Sequence, residues 1–424
     1  MSRVLDLAFI RENPDLVRRA AVKKGLAVDV TRLLELDGER RSLLAQVEGM
    51  RAERNRRSDD IPGLHGKARE RAIQELRAMG GEIGRLEPLL QGVERELEAL
   101  LLRVPSPPAE DVPEGRSDAD NVEVRRWGEL PRPDFPILDH AALGERLGII
   151  DVTRGVRLAG SRQYVLRGDG ARLEWAVLSY ALDHLLGKGF VPLSVPMLVR
   201  EEAMRGTGYF PGGEDQAYAV GRDGLYLIGT SEVPVTAYHA GEVLEEGDLP
   251  RYYAGFSGCF RREAGASGRD TAGVYRVHQF YKVEQVIVGR ASPEESARHL
   301  EFIVANAEEL LQGLELPYRV SIVCTGEMGQ GQVKKYDIET WMPSREAYAE
   351  THSASMFHDF QARRLRLRYR DGSGEIRHCH TLNNTALASP RILIPLLEVH
   401  QQADGSVRVP PALRPYLGGR ERIG

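Results

Sequence analysis

Cysteine is scarce. Cys259, Cys324 and Cys379 are the whole complement of a 424-residue chain, too few and too scattered for a disulfide framework or a four-cysteine zinc site. His378, Cys379 and His380 are consecutive on an expected strand and alternate faces, which disfavours a shared metal ion. No apolar run approaches the roughly 20 residues that span a bilayer. The start, MSRVLDLAFIRENPDLVRRA, is interrupted by Arg3, Asp6, Arg11, Glu12 and Asp15, so no signal-peptide core is expected and the cytoplasm is the expected location. A P-loop and a G-x-G-x-x-G at a strand–helix turn are both lacking, which excludes the two commonest phosphate-binding folds. There is no internal repeat. Strong positive charge is lacking too: the net charge of −5 does not mark a generic nucleic-acid binder.

What is present is a chain with 42% hydrophobic and 28% charged residues, enough for a large core and two domains. Between Thr31 and Arg57 the positions 36, 40, 43, 47, 50 and 54 step by four and three, a coiled-coil spacing with Leu36, Leu43, Val47 and Met50 on the seam and Arg40 and Arg54 filling two places. Pro62, Gly63 and Gly66 break the pattern, and it resumes as Ile83, Leu86, Leu90, Val93, Leu97 and Leu100. The expected structure is an antiparallel helical hairpin about 40 to 50 Å long, with Gly80, Gly81, Gly84 and Pro88 weakening or kinking its second helix. Near the expected tip, RAERNRR holds Arg51, Arg54, Arg56 and Arg57 against one glutamate, a basic cluster that reads by itself as a solvated helix face and, as the alternative, as a surface for phosphates. Residues 1–103 are thus an N-terminal helical domain. The proline-rich stretch 104–121 reads as a linker, and 122–424 reads as one mixed domain.

In that second domain, strands are expected at Leu225–Ile228, Arg251–Phe260, Val277–Val288, Tyr318–Val323 and Tyr336–Trp341, and helices at Ala171–Leu186 and Pro293–Leu314. Strand following strand without a βαβ rhythm favours an antiparallel sheet in an α+β fold. The most informative stretch is CFRREAGASGRDTAGVYRVHQFYKVEQV, Cys259 to Val286, a strand, a glycine-rich loop and a second strand. Such a hairpin can point Arg261 and Glu263 into one cleft. Charges at that density on central strands are costly unless paired or bound to a ligand.

This stretch resembles motif 2 of the class II aminoacyl-tRNA synthetases and, specifically, of the seryl-tRNA synthetases. The similarity extends over the arm, SRQYVLRGDGARLEWA, LIGTSEVPVTAYH, VKKYDIETWMPS, DFQARRLRLRYR and the ending VPPALRPYLGG. The resemblance implies a class II antiparallel sheet flanked by helices, a homodimer, and an N-terminal coiled-coil hairpin that grips serine tRNA through Arg51, Arg54, Arg56 and Arg57. It implies activation of L-serine with ATP to seryl-adenylate and transfer to tRNA, selenocysteine tRNA being a second acceptor left open. By the resemblance Arg261 and Arg391 are catalytic. ATP is expected at Arg261, Arg262, Glu263, Val277, Phe280, Glu350, Thr351, His352, Ser353 and Arg391. Serine is expected at Thr230, Ser231, Glu232, Arg261, Glu284, Asn383 and Thr385, with Glu232 on the ammonium and Glu284 with Thr385 on the hydroxyl. Mg²⁺ is expected at Glu350 and Ser353, and no zinc. GKGFVPLSVPMLVR resembles motif 1, which builds the dimer interface in this family.

The chain departs from the usual bacterial pattern at Asn384, Thr385, Ala386 and Pro390 near motif 3, where organellar members are closer, at His352, Met356 and Phe357, and at Ala272 in the motif 2 loop. Two other readings compete: a paralogue that delivers serine from its adenylate to a carrier other than tRNA, and a non-enzymatic serine-binding regulator. The basic arm argues against the first, and the joint presence of Arg261, Glu263, Glu284, Glu350 and Arg391 argues against the second.

Overall fold

The computed structural model describes residues 6–265 and 273–424. The chain folds as two compact units, one of residues up to Val22 together with Leu26–Pro105, the other of Lys23–Gly25 and Ser106–Gly424. Ala272 lies outside the described residues.

In the first unit, helices α1 (Val30–Asp60) and α2 (Gly66–Leu101) form the hairpin. Asp29 caps α1 by accepting from the Arg32 amide, one of the donors a helix start leaves without a partner. The heptad positions explain the packing: Leu36, Val47, Ile83, Leu86, Leu90 and Leu97 are all buried. At about 1.5 Å per residue, helices of 31 and 36 residues reach roughly 45 to 55 Å. α2 runs unbroken through Gly80, Gly81, Gly84 and Pro88. Ion pairs lace the hairpin: Arg40 to Glu94 at 3.4 Å, Arg51 to Glu87 at 2.6 Å and Arg57 to Glu75 at 2.8 Å.

The second unit is built on an eight-stranded sheet of β1 (Val122–Trp127), β2 (Val191–Ser194), β3 (Arg251–Phe260), β4 (Gln279–Gly289), β5 (Tyr318–Ile322), β6 (Lys334–Met342), β7 (Ala347–His358) and β8 (His380–Ser389), in the spatial order β1-β5-β6-β7-β8-β4-β3-β2. Every pairing in this sheet is antiparallel except that of edge strand β2 with β3. Helices α3 (Asp169–Gly187) and α4 (Pro293–Gly313) bury Leu173, Val177, Leu300, Ile303 and Leu310 against one side of it, in a core shared with Val283, Ile287, Ile338 and Leu387. Residues 106–121 are pinned to this unit by backbone bonds from Ser106 to Gln330, Ala109 to Val333, and Thr325 to Pro113.

Two register shifts set which side chains meet on the open side of the sheet. Between Val283 and Glu284 the partner strand carries one extra residue, so Val283 pairs with Leu387 but Glu284 with Thr385. Likewise Ile338 pairs with His352 but Glu339 with Glu350. A bulge of this kind re-aims the side chains on either side of it.

Candidate active site

A cavity of about 400 Å³ opens on the side of the sheet formed by β4, β6, β7 and β8. Strand alternation puts Phe280, Lys282 and Glu284 of β4 on the lining side, joined by Asn383 and Thr385 of β8 and by Glu350, Ser353 and Ser355 of β7.

One end of the cavity is an acid pair with a single buried ammonium. Lys282 and Glu284 form a direct ion pair in which both side chains are almost wholly buried. The Thr385 hydroxyl lies 3.4 Å from each of them. Glu232, at the start of a short helix, accepts from the Tyr209 hydroxyl at 2.9 Å and from Gln361 Nε2 at 2.8 Å. Gln361 is itself fixed, donating to the Thr207 carbonyl and accepting from Thr381 at 2.6 Å. Burial, reinforced by the charge of Glu284, raises the pKa of Glu232 to about 7. Burial also raises that of Glu284, against the opposing pull of Lys282. Two carboxylates and one ammonium leave this end short of a positive charge, the condition that a ligand cation relieves.

The other end is basic. Arg261 follows β3, its Nε donating to the Gly229 carbonyl at 3.2 Å and its guanidinium lying 5.1 Å from the centroid of the Phe280 ring. Glu263 has a positive φ of 52° and pairs with Arg276 at 2.9 Å. Arg391 donates to the Glu350 carbonyl at 3.0 Å and lies 4.5 Å from the centroid of the Tyr275 ring, over which Arg345 also lies at 4.1 Å. The Glu350 carboxyl is held below its ordinary range: burial would raise it, but Lys335, Arg391 and Arg261 outweigh that. Its neighbour Asp337, opposite Ser353 in the β6–β7 pairing, is pushed up to about 7 by burial and by the charge of Glu350.

Of the residues expected to hold serine, ATP or Mg²⁺, Arg261, Glu263, Val277, Phe280, Glu350, Thr351, Ser353, Arg391, Glu232, Glu284, Asn383 and Thr385 line this cavity. Four do not. The Thr230 hydroxyl accepts from the Glu232 amide, and that of Ser231 donates to the Gly255 carbonyl, so both shape the turn that presents Glu232. The Arg262 side chain is exposed while its amide bonds the Gln216 carbonyl. His352 is buried behind the cavity wall, its Nδ1 2.8 Å from the Thr351 hydroxyl, because it alternates with the lining residues of β7. Sequence reasoning passed over Tyr209, Lys282, Arg276, Lys335, Asp337 and Gln361. Lys282 was legible as the middle of the alternating trio with Phe280 and Glu284. Gln361 carries no local signal.

The two ends, one acidic and closed, the other basic and ringed by arginines, match an amino acid beside a polyphosphate, and the relatives of the chain agree. A model of the seryl-tRNA synthetase N-terminal domain matches residues 4–108, and one of the class II tRNA synthetase core domain (G, H, P, S and T) matches residues 218–400. A serine–tRNA ligase of Deinococcus radiodurans is 52% identical over 99% of either chain. The chain belongs to the seryl-tRNA synthetase family. Among solved members of the family, the seryl-tRNA synthetase of Pyrococcus horikoshii complexed with ATP superposes with a TM-score of 0.91 at 39% identity over 99% of each chain. The cytoplasmic serine–tRNA ligase of Naegleria fowleri in complex with AMP gives 0.84 at 32% identity, covering 97% of this chain and 95% of that one. Membership makes the chain an ATP-dependent aminoacyl-tRNA ligase of the class II fold. Two of the departures from the bacterial pattern have a structural account. Asn384 points away from the cavity and donates to the Ile303 carbonyl of α4 at 2.6 Å, and Met356 is part of the main core.

Proposed function

We propose that this cavity joins L-serine to the α-phosphate of ATP, releasing pyrophosphate, and that the chain then passes serine from the adenylate to serine tRNA. The observation that carries the residue assignment is the charge imbalance at the closed end. Glu232 and Glu284 face one ammonium, Lys282, and the serine ammonium is the missing cation, received by Glu232. Glu284 and Thr385 take the serine hydroxyl, with Asn383 beside them. Arg261, at the boundary between the acidic and basic ends, spans the serine carboxylate and the α-phosphate. Its planar fork can hold both anions as a carboxylate oxygen attacks phosphorus and the bond to the pyrophosphate oxygen breaks. Phe280 offers its ring face to adenine, Glu263 and the Val277 backbone its polar edge, and Arg391 the outer phosphates.

Glu350, Ser353 and the unforeseen Asp337 fit a Mg²⁺ ion, being oxygen donors only. Burial and the charge of Glu350 push the Asp337 carboxyl up, a strain between two acids that a bound cation would relieve. The ion would supply charge neutralisation on the phosphates, while Lys335 pairs with the Asp337 carboxylate and Arg391 holds the Glu350 backbone carbonyl.

A homodimer is supported by the apolar residues exposed around edge strand β2: Val191, Met197, Leu198 and Phe256 are each 40% or more exposed. Arg51, Arg54, Arg56 and Arg57 are proposed to meet tRNA phosphates. Three of them are paired with Glu87, Glu53 or Glu75, exposed contacts that a phosphate can displace at small cost. The cytoplasm is the proposed location, and no helix of the described residues is long and apolar enough to cross a membrane. Serine-dependent ATP–pyrophosphate exchange followed by aminoacylation of total tRNA tests the whole reading. Exchange with serine but no charging of any tRNA would favour a different acceptor.

A further inference from the structure

Lys24 is buried, with 4% of its surface exposed, in the turn Lys23–Gly25 that packs as part of the second unit. Its Nζ donates to the carbonyls of Gly329 at 3.1 Å, Gln330 at 3.0 Å and Gln332 at 2.5 Å. An ammonium has three donors, and here all three are spent on one backbone loop. Burial alone lowers its pKa, to about 7, with no carboxylate contributing. A lysine so placed is costly unless its bonds hold something that needs holding.

The loop is a wall of the cavity, which Gly329, Gln330, Gly331 and Gln332 all line. Two of its four residues, Gly329 and Gly331, have no side chain to pack. A Cβ on Gly331 would lie 2.3 Å from the Phe360 ring, so the loop backbone sits directly on that ring. The same ring closes on Gly208, where a Cβ would lie 2.8 Å from it, and Gly208 precedes the Tyr209 that donates to Glu232. Within the loop, Gln332 accepts from the Gly329 amide at 2.6 Å and donates to Ser355 at 2.7 Å. Three carbonyls turned toward one point repel each other unless a cation sits there.

We infer that Lys24 is a positioning residue of the serine-binding end: by gathering the carbonyls of Gly329, Gln330 and Gln332 it fixes the loop against Phe360 and so keeps the wall beside Tyr209 and Glu232 in place. The inference rests on the assignment of that end to serine. It is tested in the full-length protein by ATP–pyrophosphate exchange with serine and ATP varied separately. Lys24→Met keeps the stem and removes the donors. It is expected to raise the serine KM about tenfold, the size of one buried hydrogen-bond contribution, with the ATP KM and kcat within about twofold of the parent. Lys24→Arg, which restores donors, should recover most of the loss. A serine KM equal to that of the parent overturns the inference. So does a fall in kcat with both KM values unchanged, the signature of general loosening. If Lys24→Met does not accumulate as folded protein, Lys24→Gln is read in the same way, and a parental serine KM there is equally fatal. Glu232→Gln separates the two levels. Should it leave the serine KM unchanged, the serine assignment falls and this inference with it. Should it raise the KM while Lys24→Met does not, only the role of Lys24 is lost.

Discussion

Replacing Glu284 by Gln removes one of the two carboxylates at the closed end while keeping its shape, and the structure sets the size of the effect. Glu284 is 2% exposed, so a hydrogen bond to its charged oxygen is made out of water, worth about 1.5–3 kcal/mol, against about 0.5–1.5 kcal/mol for a neutral amide acceptor. The difference, about 1–1.5 kcal/mol, is roughly tenfold in kcat/KM for a substrate that presents a hydroxyl. Alanine presents none, so the ratio of serine to alanine activation should fall about tenfold, mostly through serine. The charge argument adds a second readout. With Glu284 ionised beside it, Glu232 has its pKa raised to about 7, and it must be ionised to receive the serine ammonium. The serine kcat/KM of the parent should therefore rise with pH through about 7. Removing the charge of Glu284 lowers the Glu232 pKa, so in Glu284→Gln that limb should move to lower pH. Linkage has the opposite sign for the free protein: a carboxyl whose pKa is raised on folding stabilises most below about 4.5 and loses that contribution as pH rises toward 7. Exchange kinetics with both amino acids from pH 5.5 to 8.5 measure all of this. A serine-to-alanine ratio within twofold of the parent, together with an unmoved acid limb, would refute the assignment of both carboxylates.

Arg261→Ala should reduce serine-dependent exchange below detection while sedimentation shows the parental oligomer, and Arg261→Lys should recover little because an ammonium lacks the planar fork. Exchange within tenfold of the parent would remove Arg261 from the chemistry. Replacing Arg51, Arg54, Arg56 and Arg57 by Gln should leave exchange intact but weaken tRNA charging, lowering the slope of log affinity against log salt by roughly one unit for each phosphate no longer neutralised. Equal affinity and slope would make the cluster a solvated helix face. Gly331→Ala places a methyl group 2.3 Å from the Phe360 ring and should destabilise the protein by about 1–3 kcal/mol, read as a lowered Tm, and raise the serine KM. A parental Tm and KM would mean that the loop yields freely.

The arm, the strands that carry the site and the identities of most lining residues come from local pattern. Heptad steps from Leu36 to Leu97 specify which faces meet, and the alternation of Phe280, Lys282 and Glu284 specifies one face of one strand, because side-chain period is a property of the backbone that the sequence cannot avoid expressing. Which residues meet across strands is another matter. Glu284 faces Thr385 only because Ala386 is the extra residue of the partner strand, and Asp337 comes opposite Ser353 only through the β6–β7 register. His352 and Asn384 sit one position from lining residues and therefore point the other way, which is why departures from the family pattern at those places fall outside the cavity. Gln361, Tyr209 and Lys24 reach their partners over tens to hundreds of residues of chain, and no local period records such contacts. They were decided when the folded core brought distant segments together, where each buried donor and acceptor had to find a partner among whatever groups the tertiary structure had placed beside it.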